Sequence, residues 1–163
     1  MNSPRSAAAP DRGPNVSFPP PLPFVAGFGI GALLERYLAP PMQLPNSMTA
    51  TVLGLCMFVG GLALIATGMM TFRRHRTAIY PNRPARNLVT TGVYARTRNP
   101  MYVGLAAAYL GGVAMTSLFW PLLLLPVVLS LVFALVIRRE EQHLLEKFPD
   151  EYVDYTGRVR RWL

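Results

Sequence analysis

Four apolar segments, at about residues 22–38, 48–72, 100–118 and 119–137, limit what this chain can fold into more than anything else in it. Each approaches the roughly 20 residues that a helix needs to cross a hydrocarbon layer about 30 Å thick. Composition agrees, with 52% of the 163 residues hydrophobic and a mean hydropathy of +0.29. The expected fold is all-α, an integral membrane bundle of about four transmembrane helices. The turn near "TSLFWP" is short enough to make the last two segments an antiparallel hairpin. Residues 1–21 are rich in Pro, Ser and Ala and lack the apolar core of a secretory signal, so we expect a disordered N-terminal tail. That leaves 22–163 as one membrane domain, with a long loop whose functional part is 79–104 and a helical C-terminal tail over 138–163.

Charge orients the bundle. Basic residues outnumber acidic ones by 16 to 8, nearly all of them arginine. The loop 73–99 carries seven arginines and no acid, while "APPMQLPNS" and the turn near Ser117 carry no charge. Cytoplasmic loops collect Lys and Arg, so both termini and the long loop are expected to face the cytoplasm. Arg73, Arg74 and Arg76 read as topology signals and contacts to anionic membrane lipids. Nucleic-acid binding does not fit, because the charge hugs the membrane and no aromatic-interleaved domain lies outside it.

Several tempting features carry no chemistry. "GFGIGA", Gly27 to Ala32, has the spacing of a dinucleotide fingerprint but lies inside an apolar helical run, with no strand before it. Close helix packing explains Gly27 with Gly31 better, and Gly54, Gly60, Gly61, Gly111 and Gly112 read the same way. The single cysteine, Cys56, excludes a disulfide within the chain. His75 and His143 have no partners at metal-ligand spacing.

Two stretches remain. In "GVYARTRNPMYVG", residues 92–104, Asn99 is a good N-cap residue and Pro100 suits a first helical position, so the third membrane helix starts there. Its free N–H groups and positive dipole end suit an acceptor-rich ligand, and Tyr94 and Tyr102 flank the turn. In "IRREEQHLLEKFPDEYVDYTGRVRRWL", Glu140 and Glu141 follow the fourth segment by about one turn, level with the arginine-rich loop. Pairing of either glutamate with Arg96 or Arg98 is the simplest role for it. Leu144, Leu145, Phe148, Tyr152, Tyr155 and Trp162 then give an amphipathic tail able to fold back over the loop.

Taken together, "LVTTGVYARTRNPMYVG" and "EEQHLLEKFPDEYVDY…VRR" resemble the membrane methyltransferases that include isoprenylcysteine carboxyl methyltransferase and phospholipid N-methyltransferases. The resemblance spans about residues 79–161 and implies S-adenosylmethionine as cofactor, bound at the cytoplasmic surface between the loop, the last two helices and the tail. It carries cofactor positions over to Leu88, Val89, Tyr94, Pro100, Tyr102 and Glu140, with Asn99 and Met101 on either side of the proline. Arg98 and Glu141 are the candidate catalytic groups, and Arg138 and Arg139 the candidates for the acceptor's head. The family pattern reads Arg-His-Pro where this chain has Asn99. The arginine it places before the glutamates falls on Val136, with Arg138 and Arg139 as nearby substitutes.

The residue types suit that chemistry: an aromatic face at Tyr94 or Tyr102 for a sulfonium, Glu140 for an ammonium, and backbone groups for an adenine. Methyl transfer depends mainly on alignment, and no general base is evident. The expected acceptor is lipid-like, with a carboxylate or amine head. A sterol-reductase-like NADPH enzyme is the enzymatic alternative, although such proteins carry an acid where Leu105 follows Gly104. A non-catalytic scaffold or lipid-binding protein is the other.

Overall fold

Helices form over the apolar segments: α1 is Leu22–Tyr37, α2 Met48–Arg74, α3 Pro100–Thr116 and α4 Phe119–Val132. A computed structural model describes residues 18–76 and 87–163, so most of the expected disordered tail, and the first part of the 79–104 loop, lie outside the described residues. Local chemistry sets the ends. Ser47 accepts the Ala50 N–H at 3.1 Å to cap α2, and Pro100 opens α3. Two helical stretches, Met48–Arg74 and Phe119–Lys147, are long and apolar enough to cross a membrane, and Pro100–Thr116 is a shorter apolar helix. The second stretch holds a feature that hydropathy does not reveal. α4 passes through a π-helical turn, Phe133–Ile137, directly into α5, Arg138–Lys147; α6, Pro149–Arg158, follows.

Glycine decides which helices pair. Gly61 lies against the Gly104 carbonyl and Gly54 against the Gly111 carbonyl, so α2 and α3 run antiparallel at backbone contact. Without aqueous hydrophobic drive between helices, such close approach is what holds them. Gly27 meets Val128 and Gly31 meets Pro121, which joins α1 to α4 in the same way. Gly60 departs from expectation: it opens on empty space at the outer face of α2, because the seam is followed by Gly54, Gly61 and Gly68 instead. The expected α3–α4 hairpin is present, turning at Ser117 with φ 56. Its two helices nevertheless pack chiefly on α2 and α1, respectively. Leu53, Val59 and Leu62 stay exposed, as an apolar face toward lipid requires.

The two ends of the bundle differ in kind. At one, Glu35 accepts the Phe119 and Trp120 N–H groups at 2.9 and 3.1 Å, a carboxylate placed on the positive end of α4. At the other end α2 finishes, α3 begins and α5 emerges, and most of the polar side-chain bonds gather there.

Candidate cofactor and active site

The entry to α3 is built by a tight turn and a returning strap. Gly92 takes φ +63, a left-handed conformation that suits glycine, and starts a 3₁₀ turn over Gly92–Ala95. That turn buries Tyr94 and stacks it on Phe72 of α2, with centroids 4.9 Å apart. The tail then folds back. Tyr155 Oη donates to the Tyr94 carbonyl at 2.7 Å, the Arg98 N–H to the Arg160 carbonyl at 3.0 Å, and Thr97 Oγ1 to the Arg161 carbonyl at 3.1 Å.

Asn99 sits at the cap position but does not cap with its side chain. Its Nδ2 donates to the Arg161 carbonyl at 3.1 Å instead, while its own carbonyl accepts the Val103 N–H at 3.0 Å. The reason is the strap: its carbonyls pass within reach of an amide, and a buried amide satisfied by them adds a tertiary bond that a local cap does not.

The adjacent glutamates part company. Glu141 is gripped by Arg161, whose Nε and Nη2 each lie 2.8 Å from a carboxylate oxygen, and by Arg98 at 3.4 Å. Arg161 also lies over the Phe133 ring, 5.1 Å from its centroid. Among the described residues Glu140 meets no arginine; it accepts a hydrogen bond from Tyr102 Oη at 3.0 Å. Burial pushes its carboxyl up to about 7, with Glu141 adding repulsion and the Tyr102 hydrogen bond opposing the rise. Of the expected pairings of a glutamate with Arg96 or Arg98, the one that forms is Glu141 with Arg98; Arg96 is exposed. Arg98 bonds Glu141, and at 3.5 Å the Tyr152 hydroxyl.

Adjacent residues on a helix point about 100° apart, so with Glu140 turned to Tyr102 of α3, Glu141 is turned to Arg161 of the strap; the π-turn just upstream sets the phase of both. Val136, at the position of the family arginine, is fully buried beneath, while Arg138 and Arg139 are exposed.

Among the remaining candidates, Val89 and Pro100 are buried, and Leu88 and Met101 half-buried. A Cβ on Gly68 would stand 2.8 Å from Met101 and 3.6 Å from the Tyr94 hydroxyl, so a glycine keeps that corner of α2 open. The hydroxyl is buried with no hydrogen-bond partner among the described residues. Burial, then the charge of Glu140, holds its pKa far above the usual phenol range. Tyr94, Tyr102 and Glu140 thus offer aromatic faces, an unsatisfied hydroxyl and a weakly partnered carboxylate, a donor set that fits S-adenosylmethionine. Sequence reasoning missed Arg161, Thr97 and the bonding of Tyr155. Arg161 lies 20 residues from Glu141, beyond any helical periodicity.

The chain is similar in sequence to several known proteins. The nickel-cobalt-cadmium resistance protein NccN of Alcaligenes xylosoxydans is 35% identical over 103 residues, 60% of this chain and 48% of that protein. Two proteins named protein-S-isoprenylcysteine O-methyltransferase also match. That of Schizosaccharomyces pombe is 39% identical over 72 residues, 44% of this chain and 30% of its own length. That of Saccharomyces cerevisiae is 29% identical over 133 residues, 78% of this chain and 56% of its own. The chain therefore spans about half the length, or less, of these curated relatives. No solved structure matches it. The family model for phospholipid methyltransferases matches residues 49–151, from the start of α2 into α6 and across both glutamates. The chain belongs to the phospholipid methyltransferase family.

Proposed function

We propose that the chain is an S-adenosylmethionine-dependent methyltransferase whose acceptor is an amphipathic molecule dissolved in the membrane. The observation that carries this reading is the Tyr102–Glu140 contact beside the buried, unpartnered Tyr94 hydroxyl. When bound, the cofactor supplies an electrophilic methyl group to a carboxylate oxygen or an amine nitrogen. Glu140 would hold the ammonium of the amino acid head as a carboxylate, its proton having passed to solvent. Tyr102 keeps that carboxylate aimed by its hydrogen bond, and Tyr94 presents its ring face and its hydroxyl. Leu88 and Val89 offer backbone groups to the adenine. Arg98 and Glu141, tied to each other and to the strap, hold the entry to α3 in shape.

In this reading the polar end faces the cytoplasm, because Arg73, Arg74, Arg96 and Arg98 collect there and cytoplasmic loops are rich in such residues. The acceptor's head reaches it from the bilayer along α3 and α4. Burial of an acyl or prenyl tail contributes about 0.8 kcal/mol per methylene, which favours long-tailed acceptors over soluble analogues.

The test is ligand-dependent melting of the purified full chain. A ligand at a hundredfold excess over its dissociation constant adds about 2.7 kcal/mol, a plainly raised Tm. S-adenosylmethionine and its demethylated product should both raise it, and NADPH should leave it unchanged. Stabilisation by NADPH alone would overturn the reading.

A further inference from the structure

α5 has a second face that the proposed reaction does not use. Arg138, Glu141, Gln142 and Leu145 follow helical spacing and line an open cleft of about 460 Å³ against α6. Glu140 is not among its walls. Arg98 and Arg161 close one side, so three guanidinium groups face a single carboxylate.

That carboxylate is already engaged by Arg161 and Arg98. The third guanidinium still lacks an acceptor: among the described residues the Arg138 side chain, which is exposed, makes no hydrogen bond or ion pair. An anion in the cleft supplies one and adds a counter-charge to Arg98 and Arg161. Phe133, Leu145 and Val153 add apolar surface to a wall that also holds Gln142, Tyr152 and Thr156; Leu145 and Val153 are 45% and 60% exposed.

A free anion gains nothing from Phe133, Leu145 or Val153. A lipid phosphate held by the arginines, with its chains descending past Phe133 into the bilayer, uses both halves. We propose that this cleft binds the phosphate head of an anionic membrane lipid, at a site separate from the one assigned to methyl transfer. Part of its wall, Tyr152 to Arg161, lies beyond the segment that the family model matches. Arg161 is also the residue whose carbonyl holds Thr97 and Asn99. Lipid in the cleft therefore firms the strap that shapes the entry to α3.

The experiment uses the full chain in nanodiscs of phosphatidylcholine, with and without phosphatidylglycerol, reading retained lipid by native mass spectrometry and Tm in parallel. Phosphatidylglycerol should be retained selectively and raise Tm. Arg138→Gln should weaken that retention about fivefold, the effect of one arginine at an anionic surface. Arg139→Gln, an exposed neighbour that is not among the cleft's walls, should not. Equal losses in the two variants would show diffuse surface charge and overturn the site, as would equal retention of phosphatidylcholine. Stabilisation by inorganic phosphate as strong as that by phosphatidylglycerol would assign the cleft to a free anion and overturn the lipid. Should Arg138→Gln fail to fold, the comparison of the two lipids on the unaltered chain still decides.

Discussion

Glu140 and Glu141 are consecutive on one helix and serve opposite ends. Glu141 has three short contacts to two arginines and stays in place without any ligand. Glu140 has one phenol and no positive partner among the described residues, and burial raises its carboxyl to about 7. The difference teaches that acidity in a membrane-edge site is read from partners, not from residue type. A carboxylate satisfied by arginines builds the site, and one left nearly alone is available to a cationic ligand.

The most damaging change should be Glu141→Ala, which strands Arg98 and Arg161 beside each other. Loss of a partner from a mostly buried pair costs about 3 kcal/mol, so a fall in Tm by several degrees is expected without any ligand. Unchanged melting would mean that the strap holds without the pair, and the contrast between the glutamates would lose its structural half.

Next in size is Glu140→Gln. The amide still accepts the Tyr102 hydroxyl but cannot pair with an ammonium, so cofactor affinity should fall more than tenfold, about 1.5–3 kcal/mol, with melting unchanged or slightly improved. Calorimetric titration of the two forms measures it. Equal affinities would leave Glu140 without a ligand role.

The same glutamate sets a pH signature of opposite sign for folding and for binding. Its pKa is raised from 4.5 to about 7 in the fold, so the fold favours the protonated carboxyl. That stabilisation is complete below 4.5 and is lost as pH rises through about 7. Cofactor binding needs the carboxylate and should therefore tighten over the same rise, by up to about tenfold per pH unit below 7. Glu140→Gln should flatten both profiles. A wild-type binding profile already flat between pH 5.5 and 7.5 would break the assignment.

Asn99→Ala should have the smallest effect, about 1 kcal/mol for one hydrogen bond to the strap. Proteolysis or hydrogen exchange near Val159–Leu163 would report it as local loosening, with α2 and α3 unaffected.

The helices were legible because each apolar run is long and its ends carry strong signals, such as Ser47 before α2 and Asn99-Pro100 before α3. The glycines announced close packing, but not which helix each would meet; Gly60 looked like Gly61 and faces the other way. Tyr102 and Glu140 were both named from the chain, yet their contact joins residues 38 positions apart. Asn99 was expected to cap and instead clasps the strap.

By itself the sequence determined what depends on nearest neighbours: apolar length, charge asymmetry along the chain, helix starts, and the residue types gathered at one end of the bundle. Only the tertiary structure decided what depends on phase and return path. The π-turn at Phe133–Ile137 set which faces the two acids present, and the strap brought Arg161 back to Glu141 and Asn99. The physical reason is range. Capping and hydropathy act within a turn or two, whereas a widened turn and a folded-back tail are settled by packing between elements far apart in the chain, as the full burial of Val132, Val136 and Ile137 records.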